Sequence, residues 1–147
     1  MTQTTIYMSA EEAEEAFYEA INGGDIDALM LTWCDEDEIV CIHPTGQRVE
    51  GAAAIYESWR GIFESNPRFS MHIHSKVSWE SSLISVHSVV ETLFLEQDRT
   101  QHSSMLSTNV FIRGIHGWRL LFRHTSAAAE ATEKNVETPD RKQHTLH

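Results

Sequence analysis

The spacing of the apolar residues changes its period at Pro67, and this change limits the folds open to the chain. Before Pro67 apolar residues recur every three or four positions, which predicts amphipathic helices. After Pro67, over residues 69–77, they alternate with polar residues such as His74 and Lys76, which predicts a half-buried strand. Helices followed by a run of strands favour an α+β fold, with an antiparallel sheet and the helices on one face.

Local signals predict three helices before Pro67. Ser9 and Glu12 have the spacing of a capping box and start the first helix. Gly23 and Gly24 end that helix because glycine takes the left-handed conformation at low cost, and Asp25 can cap a second, shorter helix. A third helix follows Gly51. Its predicted inner face consists of Ile55, Trp59, Ile62 and Phe63.

A short strand over residues 38–43 and a meander of four strands complete the predicted domain, which covers residues 9–126. The strand at residues 83–96 is apolar on both faces and therefore needs cover on both. A second copy of the chain is one way to provide that cover, so we predict a homodimer. Residues 127–147 lose the periodicity, and we expect them to form a poorly ordered tail.

Regular alternation in the last hairpin predicts which side chains face the helices. A turn at residues 114–117 puts Asn109 opposite Phe122 and places His124 on the same inner face. Apolar residues with a few convergent polar groups are typical of a small-molecule pocket, although His124 could equally be a satisfied core histidine. The same alternation sends Arg123 to the outer face, toward solvent or the dimer contact.

Composition excludes several classes of partner. The formal net charge is −11, with no Lys or Arg before Arg48, so we expect no binding to nucleic acid or to anionic membranes. The sequence contains no apolar run of about 20 residues and no secretory signal, which predicts a cytoplasmic location. Cys34 and Cys41 are expected to be reduced, buried thiols. No nucleotide-binding motif is present, and no cofactor is predicted.

Five strings, in this order, resemble the NTF2-like superfamily, and most of all its SnoaL-like branch, which is akin to the association domain of calmodulin-dependent kinase II. They are AFYEAINGGD at 16–25, CIHPTG at 41–46, GAAAI at 51–55, NVF at 109–111 and GWR at 117–119. The resemblance implies a curved sheet wrapped around a long helix, with an apolar cavity between them. It also implies dimers formed through the outer face of the sheet.

The resemblance to ketosteroid isomerases within that superfamily suggests catalytic positions. The position of the carboxylate base falls at His43, that of a tyrosine at Phe17, and that of a second aspartate at Asn109. These replacements argue against a steroid-type isomerisation. His43 remains a candidate general base, because an unperturbed pKa of about 6.5 suits that role, and Asn109 could orient a carbonyl or carboxylate. Alternatively, His43 caps the strand end and bonds to the backbone.

For several other residues the sequence leaves two alternative roles open. Trp33, Trp59 and Trp118 could form an aromatic wall for a flat ligand or plain core. Glu91 interrupts an apolar strand face, where it could pair with a pocket histidine or form a salt bridge at the dimer interface or in solvent. His72 and His74 could begin a metal site, but no third ligand is indicated and no metal is predicted.

Two hypotheses for function follow. The first is a small-molecule-binding domain, and if it is an enzyme, one that transfers protons or hydrates a small carbonyl compound with His43 and Asn109. Its predicted ligand-binding residues are Phe17, Trp33, Trp59, Glu91, Trp118, Phe122 and His124. The second is a non-catalytic association module. The first gains support if His43, Asn109 and His124 share a cavity that solvent can reach.

Overall fold

The computed structural model describes residues 5–65, 68–129 and 142–145, and it has the predicted α+β fold. The helices are α1 (Ala10–Gly23), α2 (Ile26–Leu31) and α3 (Ala52–Ser65). The strands are β1 (Val40–Ile42), β2 (Arg48–Glu50), β3 (Phe69–Glu80), β4 (Ile84–Leu95), β5 (His102–Gly114), β6 (Gly117–Ala127) and β7 (Lys142–Thr145). In the predicted tail, Ala127 ends β6 and β7 pairs with β3, while residues 130–141 and 146–147 lie outside the described residues.

The helix ends form at the predicted caps. The Ser9 hydroxyl accepts a hydrogen bond from the Glu12 amide at 3.1 Å, and Gly24 ends α1 with a φ of 63°. The Asp25 carboxylate accepts from the Ala28 amide at 3.0 Å and starts α2. None of the helices in the described part of the chain combines the length and the apolar character needed to cross a membrane.

The strands form one curved sheet in the order β2-β1-β6-β5-β4-β3-β7. Strands β3 to β6 are the predicted antiparallel meander, and β1 joins β6 in parallel. Helix α1 packs against β3 and β6 on the inner face. An apolar core lies between the helices and the sheet. Its largest members are Phe17, Tyr18, Trp33, Trp59 and Phe111.

A β-bulge in β6 overturns the face predicted for the last hairpin. Phe111 pairs with Leu120 but Val110 pairs with Phe122, so Leu121 is an extra residue in β6. The extra residue reverses the alternation beyond it. Three predictions were therefore wrong. Phe122 and His124 were expected on the inner face, but Phe122 turns away from it and His124 is exposed. Arg123 was expected on the outer face, but it is buried.

A second bulge, in β3, has the same effect. Ile73 pairs with Glu91 and Ser75 pairs with Val90, which leaves His74 as the extra residue. The sequence pattern put Lys76 on the polar side of the strand. The bulge instead directs its side chain to the inner face, where only 13% of it is exposed. Each bulge therefore brings one cation into the interior.

Candidate functional site

Arg123 lies at the centre of a buried polar network. Its Nη1 donates to Glu91 Oε2 at 2.8 Å, and its Nη2 donates to Glu91 Oε1 at 3.1 Å. Nη1 also donates to Asn109 Oδ1 at 2.9 Å. Burial alone would lower the pKa of Arg123, but the charge of Glu91 raises that pKa above its ordinary value. The Arg123 guanidinium therefore stays charged inside the protein, in a bidentate pair with Glu91.

Two hydroxyl groups complete the coordination of Glu91. Ser107 Oγ donates to Glu91 Oε1 at 2.7 Å, and the Tyr18 hydroxyl donates to Oε2. Tyr18 also accepts from Asn109 Nδ2 at 3.0 Å. Burial, aided by nearby carboxylates against the charge of Arg123, raises the pKa of Tyr18 well above its ordinary value. The Tyr18 hydroxyl is therefore a protonated donor at neutral pH.

Glu14, on the buried side of α1, forms the second half of the network. Its Oε2 accepts from His87 Nδ1 at 2.9 Å and from Asn109 Nδ2 at 3.2 Å. Its Oε1 accepts from Lys76 Nζ at 3.0 Å. Burial alone would raise the pKa of Glu14, but His87 and Lys76 together hold that pKa below its ordinary value. Glu14 is therefore ionised, and the other ring nitrogen of His87, Nε2, lies 2.8 Å from Ser85 Oγ.

The network meets solvent in a groove between α1 and β3. The groove has a volume of about 890 Å³, and Glu14, Tyr18 and Lys76 line it. Two contacts join α1 to β3 along the groove. Lys76 binds Glu11, and farther along the Asn22 side-chain amide bonds to both backbone groups of Met71, at 2.7 and 3.1 Å. The remaining lining residues are Ser9, Glu15, Glu19, His72, Ile73, His74, Ser75 and Glu80.

His43 lies away from this groove. Its ring Nε2 is 3.0 Å from Ser58 Oγ, and the ring packs edge-on against Trp59 with centroids 5.4 Å apart. The backbone of His43 closes the turn after β1 through its bonds to Gly46 and Gln47, whereas its ring contacts the side chain of Ser58. Burial, followed by the charge of Arg123, lowers the pKa of His43. The imidazole is therefore neutral at physiological pH.

The structure does not bring the predicted polar trio together. Asn109 is fully buried, and the carboxylate that it orients is Glu14 of the same chain. His124 is exposed beside Phe122, with the two ring centroids 6.4 Å apart. Neither His43 nor His124 lines the groove. The condition that favoured the first hypothesis, a shared cavity for the trio, is therefore not met.

The predicted aromatic wall is packed core. The rings of Trp33 and Trp59 meet Phe17 edge-to-face, at 6.5 and 5.9 Å between centroids, and all three residues are buried. Trp118 is half-buried and packs against this cluster. Glu91 pairs neither with a pocket histidine nor with a group at the surface, because its partner is the buried Arg123. None of these five residues lines the groove.

The groups that could bind a metal ion differ from the histidine pair noted in the sequence. His72 and His74 are exposed at the groove, and His74 is the bulged residue. Within the described residues, Glu11, Glu14 and His87 bring three possible ligand atoms within 4.8 Å of one another. The ammonium of Lys76 contacts both carboxylates and already supplies a positive charge there.

The sequence contains signals for two members of the network that the predicted site left out. Glu14 occupies the helical face of Ala10, Phe17 and Ile21, and a charge on an apolar face indicates a buried partner. His87 stands on the same strand face as Glu91, as period-2 alternation shows. By contrast, no period-based signal identifies Lys76 or Arg123, because a bulge decides the orientation of each.

The burial of two thiols agrees with the sequence. Cys34 and Cys41 are both free and buried. Burial is the main cause that raises the pKa of each thiol to about 11. Both are therefore protonated and poorly nucleophilic at neutral pH.

Comparison with known proteins identifies the family. The sequence model of the SnoaL-like domain family matches residues 10–130 of the chain. A Thiobacillus denitrificans structure, described as a candidate calcium/calmodulin-dependent protein kinase type II association domain, is 30% identical with a TM-score of 0.79, over 84% of this chain and 98% of that one. A candidate NTF2-like dehydratase from Streptomyces avermitilis is 22% identical with a TM-score of 0.71, over 80% and 91%. An NTF2-like superfamily protein from Salmonella enterica is 17% identical with a TM-score of 0.70, over 81% and 88%. No curated relative matches the sequence. The chain has the fold of these NTF2-like proteins, and it belongs to the SnoaL-like domain family.

Proposed function

We propose that this protein binds a small molecule in the groove between α1 and β3. The observation that supports this most strongly is a cavity of about 890 Å³ whose floor includes Glu14 and Tyr18. Both side chains are held by buried partners, so the polar groups that a ligand would meet are already in place. Such preorganisation lowers the entropic cost of binding.

We further propose that binding involves no proton transfer. Glu91 accepts from Tyr18, from Ser107 and from both terminal nitrogens of Arg123. Glu14 likewise accepts from three donors. A carboxylate that is saturated with donors is a weak base, because each bond stabilises the ionised form.

Native mass spectrometry tests the binding proposal. The protein is incubated with a small-metabolite extract, freed of unbound solutes, and compared with Ile73→Trp, which places an indole in the groove. Ile115→Trp is the matched control, because Ile115 is 92% exposed at the β5–β6 turn. We expect a mass that leaves on denaturation in the native protein and in the control, and none in Ile73→Trp. Equal adducts in all three proteins would contradict binding in the groove.

A proton-transfer enzyme is the second candidate, favoured by the ionised Glu14 at the groove floor with His87 behind it. Glu14 would take a proton from a carbon next to a carbonyl, and His87 would hold the carboxylate in place. The test follows hydrogen–deuterium exchange into pyruvate and 2-butanone by NMR. An enzyme of this kind loses exchange in Glu14→Gln. Loss in His43→Ala instead would favour the sequence-based choice of His43 with Asn109, and no exchange above background by the native protein would reject both.

We also propose that the protein is a homodimer whose contact is the outer face of the sheet. Val86, Val90, Leu106 and Val110 lie on that face, and in the described residues no helix covers it. An apolar sheet face of this kind needs a partner. The similar Thiobacillus denitrificans protein, described as a candidate association domain, adds support for self-association.

A further inference from the structure

We propose that the ligand of the α1–β3 groove is a small organic cation, such as an alkylammonium compound. This inference rests on the proposal that the groove binds a small molecule, and it names the class of that molecule. Five carboxylates line the groove, from Glu11, Glu14, Glu15, Glu19 and Glu80, and among the lining residues that the structure describes Lys76 carries the only ammonium group. Negative charge therefore predominates along the groove.

Two cations at the groove, Lys76 and Arg123, are already paired with carboxylates. Lys76 Nζ contacts Glu11 and lies 3.0 Å from Glu14, so its charge is shared by two carboxylates. Arg123 is held by both oxygens of Glu91 beneath the floor. An anionic ligand would therefore meet carboxylates, and neither Lys76 nor Arg123 would be free to bind it. A cationic ligand would be attracted by the carboxylates along α1.

Two of the wall carboxylates have no partner. Glu11, Glu15 and Glu19 follow one another at four-residue spacing and so lie on one face of α1. Glu11 is paired with Lys76, but Glu15 and Glu19 make no hydrogen bond or ion pair with any residue that the structure describes. Like charges at this spacing destabilise a helix, and a bound cation would relieve that repulsion.

The side chain of Lys76 shows how the groove holds such a ligand. Its alkyl stem reaches in from β3, and its ammonium group is bound by carboxylates of α1. Farther along, Glu15 and Glu19 lie between the Glu11–Lys76 contact and the Asn22–Met71 contact. Ile73 and Met71 supply apolar surface in that stretch. An ammonium group between Glu15 and Glu19, with its alkyl part on Ile73, would repeat the arrangement of Lys76.

Isothermal titration calorimetry with three probes that share a four-methylene spacer tests this inference. The probes are 1,4-diaminobutane, the neutral 1,4-butanediol and the dianion adipate. Glu15→Gln/Glu19→Gln removes the two unpaired wall charges. Glu36→Gln/Glu38→Gln is the control, since it removes the same charge from exposed sites outside the groove.

We expect only the diamine to bind the native protein. Its affinity should fall at least about fivefold in Glu15→Gln/Glu19→Gln and less than about twofold in the control. Raising NaCl from about 20 to about 200 mM should weaken binding, since it screens the wall charges. Binding of adipate or butanediol, lost in Ile73→Trp, would overturn the inference and leave the groove as a ligand site. Diamine binding that is equal in both double variants would also overturn it, and binding of no probe would count against both proposals.

Discussion

At the scale of single residues, the interior is organised by Arg123 and Glu91. Only 2% of the Arg123 side chain and 0% of the Glu91 side chain are exposed, and both terminal nitrogens of Arg123 donate hydrogen bonds to Glu91. Removing one partner of a buried pair leaves the other charged and unpaired, which costs more than the pair itself contributes. Replacing either residue alone should therefore strongly lower the stability of the protein.

We predict that Arg123→Met lowers the free energy of unfolding by about 3–5 kcal/mol, because Glu91 is left buried and uncompensated. Urea unfolding followed by fluorescence measures the change. The double variant Arg123→Met/Glu91→Leu should recover most of the loss, since it removes both charges. Arg113→Met, at an exposed position on β5, is the matched control and should change stability little. A loss below about 1 kcal/mol in Arg123→Met would show that Glu91 finds other compensation.

Glu14 gives the network a dependence on pH. Its pKa is lowered in the folded protein, so folding favours the ionised form. The resulting stabilisation is present above the unfolded pKa of about 4.3 and is lost as the pH falls through the lower folded value. We predict that the stability deficit of Glu14→Gln is full above about pH 5 and shrinks below about pH 4. Urea unfolding across this range measures it, and a deficit that grows in acid would contradict the assigned ionisation.

At the scale of elements, the sequence predicted the helices, their caps and the four-strand meander because each depends on local periodicity. Ser9, Gly24 and Asp25 act where predicted. The site was not predictable to the same degree. A bulge adds one residue without changing the apolar pattern that identifies a strand, and both faces of these strands carry apolar residues. The inward turn of Lys76 and Arg123 was therefore hidden, although Glu14 and Glu91 were visible as charges on apolar faces.

The bulge in β3 can be tested by deletion. Removing His74 leaves Ile73 and Lys76 separated by one residue, so both still face inward in a regular strand. Removing Ser88, an exposed residue of the unbulged β4, turns Val89 and Glu91 outward instead. We predict that the His74 deletion unfolds cooperatively with a loss below about 2 kcal/mol. The Ser88 deletion should show no cooperative unfolding. Equal losses in the two deletions would contradict the assignment of His74 as the extra residue.

At the scale of the whole molecule, the sheet separates two kinds of surface. Its inner face carries the buried charges and, with α1, the groove. Its outer face carries aliphatic side chains that no described helix covers, including Leu106, which is 39% exposed. Pairing of two outer faces would bury the apolar side of each sheet and leave both grooves open to solvent. The proposed self-association and the proposed ligand binding would therefore not compete for surface.

This separation predicts that the dimer can be broken without loss of the fold. Leu106→Lys places a charge in the proposed contact, and burying it without a partner is unfavourable. Sedimentation at micromolar concentration should give twice the 16.8 kDa chain mass for the native protein and 16.8 kDa for the variant. Ile115→Lys makes the same kind of change at the exposed β5–β6 turn and should remain dimeric. A native mass of 16.8 kDa, or monomers from both variants alike, would remove the outer face as the contact. If Leu106→Lys is monomeric and binds the groove ligand as tightly as the native protein does, each protomer contains a complete site.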